Sequence, residues 1–241
     1  MSTRVSNFDW ATAILEREYQ DWIGIDTTLG NLIRSHITEG GCVLDVGCGK
    51  SSPLGAYKTW ARYVVGTDID QQEIRSNRDF HALVASDGAR LPFADGLFDL
   101  LLSKTAIEHM RAPEDFFKGV HRVLKPGGVF IWATSNLDSL PIRVSQVTPL
   151  ALHRWVYQRL FGKNLQIEQF PTLYRANTEA TVDRQLAAAG FRKLALHKAS
   201  WPLYFAFNRL VFRLALPLHR WLDRAGVPLL QVHLIGVYQK P

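Results

Sequence analysis

Short apolar runs recur along the chain, and most of them end in glycine or an acidic residue. Val43 to Val46 follows a Gly40-Gly41 turn and runs into Gly47-Cys48-Gly49. Tyr63 to Gly66 leads to Asp68, "HALVASDG" ends in Asp87-Gly88, and "FDLLLSKTAIEHM" breaks near Lys104. A fifth run, "GGVFIWATSN", is entered through Lys125-Pro126-Gly127-Gly128. Runs of this length bounded by turn residues predict buried strands. Between them, "PEDFFKGVHRVL" places Phe116, Val120, Val123 and Leu124 at helical spacing. Further on, Asn177 is the expected N-cap of "TEATVDRQLAAAG", a helix that stops at Gly190. "FRKLALHKA" predicts a sixth strand and "VHLIGVYQK" a seventh. Strands alternating with helices predict an α/β fold, a doubly wound and mostly parallel sheet. Ligands of such sheets bind outside the carboxyl ends of the strands. Gly47, Asp68, Asp87 and Glu108-His109 all fall there.

Two stretches break the rhythm. Residues 137–176 are too long for a plain connection, and 201–230 are rich in aromatic residues. The expected organisation is one domain over 1–241, with a core of 41–136, 177–200 and 231–240 and cap insertions at 137–176 and 201–230. In "FAFNRLVFRLALPLHRWLDR", Arg209, Arg213, Arg220 and Arg224 cluster within about 60° of each other at 100° per residue. Phe207, Leu210, Val211, Leu214, Leu218 and Leu222 lie broadly opposite. Pro217 is expected to split this segment into two shorter helices. Two readings stand: an interfacial helix making peripheral membrane contact with anionic lipid through 205–224, or a cap whose apolar face closes over a pocket.

Charge sharpens this division. Residues 1–136 carry 14 Lys/Arg against 17 Asp/Glu, a net −3, and residues 137–241 carry 14 against 5, a net +9. The basic half suits an anionic partner. Cys42 and Cys48 form neither a disulfide framework nor a metal-ligand spacing, so no metal is expected. No signal-peptide pattern opens the chain and no run of about 18 apolar residues occurs. A cytoplasmic location is expected, peripheral to a membrane if the arginine stripe meets lipid.

The loop "VLDVGCGKSS" admits several ligands. A Walker phosphate loop needs a glycine five residues before its Gly-Lys-Ser, and Leu44 stands there. A dinucleotide fingerprint wants Gly or Ala where Ser52 stands. Asp45, two residues before Gly47, weighs against phosphate: a carboxylate about 4 Å from a phosphate charge costs roughly 4 kcal/mol at an effective dielectric near 20. A ligand bearing cationic groups is favoured instead. Gly47 and Gly49 let backbone approach it closely. Asp68, 19 residues after Gly49, suits a ribose diol in either cofactor class.

Together, "VLDVGCGKSS", "VVGTDID", "ASDGARLPFADGLFDLLLSKTAIEHM" and "HRVLKPGGVFIWATSN" resemble the successive motifs of class I S-adenosylmethionine-dependent methyltransferases, in particular the group acting on quinones and small molecules. The resemblance covers about residues 41–136 and extends weakly through "YRANTEATVDRQLAAAGF". It implies a Rossmann-like seven-stranded sheet whose last strand is antiparallel, and S-adenosyl-L-methionine as cofactor. By the same resemblance Asp45, Gly47 and Gly49 contact the methionine part, Asp68 the ribose, and Asp87 and Gly88 the adenine. Cys48, Ile69 and Lys104 complete the implied cofactor-binding set.

Methyl transfer from a sulfonium needs alignment and exclusion of water more than it needs a base. A base matters when the acceptor is a phenol or alcohol. His109 is a candidate for it, or else shapes the cofactor loop with Glu108. His153, in the first insertion, is a candidate lid residue or a surface histidine. Tyr174 and Arg175 lie in a turn-rich stretch; Arg175 either pairs an anionic acceptor group or anchors the lid. Trp10 and Tyr19 either cover the cofactor or pack in a core. The expected function is methyl transfer to a small-molecule, lipophilic acceptor. An RNA methyltransferase and a non-catalytic S-adenosylmethionine-binding protein remain as alternatives. Nucleic acid is the less favoured partner, because "SKTAIEH" replaces the Asn-Pro-Pro-aromatic turn of enzymes acting on base amino groups.

Overall fold

A computed structural model of the chain describes residues 9–149, 151–152, 171–206 and 208–241. They fall into two compact units: Ile25–Asn136, Pro171–His197 and His233–Pro241 make one, and the described residues within 1–24, 137–170 and 198–232 make the other. In chain order the helices are α1 (Asp9–Glu18), α2 (Ile25–His36), α3 (Gln71–Arg75), α4 (Pro113–Val123), α5 (Leu140–Val147), α6 (Glu179–Ala188) and α7 (Arg209–Arg224). The strands are β1 (Cys42–Val46), β2 (Tyr63–Asp68), β3 (Ala82–Ala85), β4 (Phe98–Lys104), β5 (Leu124–Ser135), β6 (Arg192–Ala199) and β7 (His233–Gln239).

All seven strands join one sheet in the order β3-β2-β1-β4-β5-β7-β6. The pairs from β3 across to β5 are parallel, and β7 runs antiparallel to β5. Both expectations, the seven strands and the antiparallel last one, are met. Side chains alternate between the faces of a strand, and here both faces are buried. Leu44, Leu101, Phe130, Trp132 and Tyr238 meet Phe116, Phe117 and Val120 of α4 and Val182 and Leu186 of α6. Val43, Leu100, Leu102, Ile131 and Val237 are equally buried on the opposite face, where α2 packs against β5 and β7. Burial on both sides explains why the strands read as continuous apolar runs. Trp132 stacks on Tyr238 with ring centroids 6.0 Å apart, over a glycine. A Cβ at Gly236 would stand 2.3 Å from Trp132 Cε2.

Local chemistry sets the helix starts. Pro113 opens α4, with Glu114 and Asp115 in its first turn and Arg122 in its last, each charge matched to the helix dipole. The N-cap of α6 is Thr178, whose hydroxyl accepts from Thr181 N at 3.2 Å, not Asn177 as expected. Asn177 is buried, and its amide donates to Thr134 Oγ1 at 2.7 Å and to Ser135 O at 3.1 Å. Tied to the end of β5, it leaves capping to the next residue.

In the second unit, α1 and α7 share a small core of Ala11, Ile14, Leu15, Tyr19, Leu203, Ala206, Phe212 and Leu216. Trp10 meets Phe212 edge-on at 5.6 Å, and Tyr19 donates to Asp223 Oδ2 at 2.7 Å. Both aromatics therefore belong to this core. Helix α7 runs unbroken through Pro217, capped by Asn208, which accepts from Val211 N at 2.9 Å. The expected break does not occur. Buried Phe212 and Leu216 anchor the helix before the proline and His219 and Leu222 after it, while Pro217 itself is exposed. The carbonyl left without its helical donor belongs to Arg213, an exposed residue, where water can satisfy it.

Candidate functional site

The sheet reverses its winding at β1, between β2 and β4. This is the switch point at whose carboxyl side open α/β sheets bind ligands. The loop leaving β1 is strapped to the end of β2: Gly47 N and Cys48 N both donate to Thr67 O, at 2.8 and 3.1 Å. Gly47 has φ +78, and a Cβ there would lie 2.4 Å from the Cβ of Ala106 in the loop after β4. Only glycine lets the two loops come this close. Gly49 has φ +47, and nothing lies within 4 Å of where its Cβ would be. Cys48 turns the other way. Its thiol is buried against Gly66, and burial, reinforced by Asp45 and Asp68, pushes its ionisation far up. It can offer a ligand its backbone but is no nucleophile.

Acidic residues face this loop from two strands. The Asp68 carboxylate accepts from Gly49 N and from Asp70 N, each at 2.9 Å, one on each oxygen. Both oxygens keep a second lone pair for a ligand hydroxyl. The following Ile69 is 60% exposed, an apolar surface beside the acid. Asp45 is 2% exposed. Its Oδ2 accepts a short hydrogen bond from the Ser52 hydroxyl, and its Oδ1 is buried with no hydrogen-bond partner among the described residues. Burial pushes the Asp45 carboxyl up to about 7; the Ser52 hydroxyl opposes this, Asp68 adds to it, and Lys104 opposes it more weakly. Lys104, ending β4, pairs with Asp26 at 2.5 Å.

After β3, Asp87 caps a short turn by accepting from Ala89 N at 2.9 Å. A Cβ on Gly88 would stand 2.9 Å from Met110 Cε and 3.3 Å from Val46 Cγ1, which places this turn against the ends of β1 and β4. His109 follows β4, and its Nδ1 lies 3.2 Å from Pro171 O. A proton on Nδ1 makes that bond and leaves Nε2 with a lone pair. The Glu108 carbonyl accepts from Leu173 N at 2.7 Å and Tyr174 N at 3.2 Å. The buried Glu108 carboxylate accepts from Thr134 Oγ1 at 2.7 Å. Thr105 and Tyr174, neither of them glycine, both have φ +52, a left-handed conformation that costs about 1–2 kcal/mol each.

Asp45, Gly47, Cys48, Gly49, Asp68, Ile69, Asp87, Gly88, Lys104, His109 and Tyr174 thus all lie within one compact unit; His153 lies outside the described residues. Arg175 donates to Arg111 O at 2.5 Å, an anchoring contact to backbone. Sequence reasoning missed Ser52 as the partner of Asp45, and the Glu108-Thr134-Asn177 chain. The first was within reach, since a hydroxyl stood where the dinucleotide fingerprint wants glycine. The second joins three distant segments and left no local mark. Among the described residues there is no group of three or more His, Cys, Asp or Glu side chains placed to hold a metal ion.

Residues 44–132 match a family profile described as "Methyltransferase domain". The chain is 33% identical over 107 residues to a malonyl-[acyl-carrier protein] O-methyltransferase of Marinomonas sp., across 41% of this chain and 40% of that one. It is 37% identical over 123 residues to a 2-methyl-6-phytyl-1,4-hydroquinone methyltransferase of Synechocystis sp., across 48% of this chain and 36% of that one. The chain thus spans well under half the length of these curated relatives. The solved structure of a [4+2]-cyclase, SpnF, superposes with a TM-score of 0.59 over 90% of this chain and 81% of its own, at 20% identity. That likeness concerns the fold alone. The matched segment, the ordered motifs and the sheet assign residues 44–132 to the class I S-adenosylmethionine-dependent methyltransferases.

The cofactor this family implies is S-adenosyl-L-methionine, and the residues present fit it. A buried carboxylate oxygen without a partner, at Asp45, suits a ligand carrying ammonium and sulfonium charge. Two glycines with positive φ give the backbone its close approach, and Asp68 keeps acceptor capacity for a diol.

Proposed function

We propose that this chain transfers a methyl group from S-adenosylmethionine to a small, lipophilic acceptor. The observation that carries the reading is the buried Oδ1 of Asp45, without a partner among the described residues, beside Gly47, Gly49 and the oriented Asp68 carboxylate. When bound, the cofactor supplies a methyl group already activated by the sulfonium. Asp45 would hold the ammonium end, Asp68 the ribose hydroxyls, and the turn at Asp87 and Gly88 the adenine, with Ile69 as an apolar floor. Lys104, through its pair with Asp26, fixes the exit of β4 and tempers the Asp45 charge.

His109 is proposed as the group that takes a proton from a hydroxyl acceptor at Nε2. Its orientation rests on the Pro171 carbonyl. Glu108 would position it: the carboxylate, held by Thr134, keeps the turn in place while its carbonyl gathers Leu173 and Tyr174. The left-handed backbone of Tyr174 supports a role for its side chain in acceptor binding, since such strain persists where the surroundings enforce it. The relatives' names support the acceptor class: one methylates a hydroquinone with a phytyl tail, another a malonyl carrier conjugate.

A second reading is cofactor binding without methyl transfer. The test is the fate of methyl-tritiated S-adenosylmethionine incubated with the protein and a fractionated extract, with Gly47→Arg as the blocked control. Label in the organic fraction, absent from the control, is the expected result. Label in RNA would overturn the proposal. Cofactor bound stoichiometrically, with label in no fraction, would favour the second reading.

A further inference from the structure

Helix α7 is amphipathic in an unusual sense: one of its apolar faces points away from its own unit. Phe212, Leu216, His219 and Leu222 are buried. Leu210, Leu214, Leu218 and Trp221 are 69%, 70%, 58% and 62% exposed. At 100° per residue these four fall within about 80° of each other. The buried residues occupy the other side, and Arg209, Arg213, Arg220 and Arg224 lie in the sector between the two. The apolar stripe is thus bordered by guanidinium groups along its length.

The charges are unbalanced. Arg220 and Arg224 both pair with Asp21, at 3.0 and 2.8 Å. Arg213 reaches Glu18 only at 3.9 Å, and Arg209 has no ion pair among the described residues. The one acid of the helix, Asp223, accepts from Tyr19 and from Ser200 inside the unit. Among the described residues these arginines therefore answer to two surface carboxylates, Glu18 and Asp21, and no exposed carboxylate lies in the apolar stripe of the helix. A second copy of the same face would set one arginine stripe near another, with Glu18 and Asp21 the only carboxylates that pair with it among the described residues. An anionic lipid surface supplies both the apolar interior and the negative charge. No described helix is long and apolar enough to cross a membrane, so such a helix would lie in the interface.

We propose that α7 docks this protein on anionic membranes, with Leu210, Leu214, Leu218 and Trp221 in the acyl boundary and the arginines at the headgroup phosphates. The inference stands apart from the acceptor, because docking is read on lipid alone, without cofactor.

The test is flotation of the full chain with vesicles of phosphatidylcholine, pure or with about a third phosphatidylglycerol. The wild type is expected to float with the anionic vesicles and to do so less as salt rises. Leu214→Asp/Leu218→Asp is expected to cut partitioning at least about tenfold, and Arg209→Glu/Arg213→Glu to abolish the preference for phosphatidylglycerol. Unchanged cofactor binding would show that these variants fold. As a check on a natively folded surface, lipids with brominated chains should quench the wild type's tryptophan emission, and Trp221→Phe should lose most of that quenching. A wild type that stays with pure buffer, or an aspartate variant that floats as before, would overturn the proposal. So would a lipid-free dimer that the aspartate variant dissociates, which would make the stripe a contact between copies.

Discussion

Asp45 offers the sharpest test of the cofactor site, because its carboxyl is poised near neutrality by burial. With its folded value at about 7, the free protein holds a proton there below neutral pH. A cationic ligand favours the ionised form, so binding must expel that proton as the pH falls. The sign follows: affinity for S-adenosylmethionine drops with acidification through the window below about 7. Each pH unit is worth about tenfold, or about 1.36 kcal/mol, so affinity at about pH 5 should be up to roughly 100-fold weaker than at about pH 8. Isothermal titration calorimetry across this range measures the affinity. Repeating it near pH 6 in two buffers of different ionisation heat counts the released proton, expected to approach one. The ligand's own ammonium also titrates, so Asp45→Asn is the control. It should bind at least about tenfold more weakly near pH 8, for want of a charge-assisted hydrogen bond, and lack the step below 7. Parallel pH profiles for Asp45→Asn and the wild type would refute the reasoning and remove Asp45 from the ammonium site.

Gly47→Ala should lose roughly 2 kcal/mol or more of stability in urea unfolding, since its Cβ would collide with Ala106 at a positive φ; cofactor binding should fall with it, and an unaltered midpoint would contradict the close approach. Gly236→Ala forces a methyl into the indole of Trp132 and should cost about 1–3 kcal/mol while leaving the Asp45 pH profile intact. Burial lowers His233 from 6.5 to about 4, with Asp26 opposing and Lys104 adding to the shift. Its unfolded form binds the proton first, so stability should fall as pH drops from about 6.5 towards 4. A His233→Gln variant with the same acid slope in thermal melts would show that this group does not set it.

The sheet was legible because each buried strand is an apolar run ended by glycine or aspartate. The motif residues could be placed because strand ends of such sheets converge. What stayed hidden depended on tertiary contact. Pro217 was expected to end a helix, yet buried anchors on both sides hold α7 through it. Asn177 has the composition of a cap but is claimed by Thr134 and Ser135, residues that local patterning cannot bring near. The arginine stripe was found at its true spacing. Which apolar neighbours would be buried was not, because the periodicity of α7 marks an apolar sector without saying which part of it α1 covers.

The pairing of α1 with α7 also bears on how this chain is made. Tyr19 and Asp223 are 204 residues apart. At about 5–20 residues per second of translation, the apolar side of α1 waits roughly 10–40 s before its partner emerges. During that interval Ala11, Ile14, Leu15 and Tyr19 lack the cover that Leu203, Ala206, Phe212 and Leu216 give them in the folded unit. Strands β1 to β5 all lie between residues 42 and 135 and occupy adjoining places in the sheet, in the order β3-β2-β1-β4-β5, so they can pair while the ribosome is still working. Synthesis is therefore expected to pass through a nascent form in which five of the seven strands are available and the apolar side of α1 still awaits α7, the form that a chaperone or a premature collision with another chain would meet first.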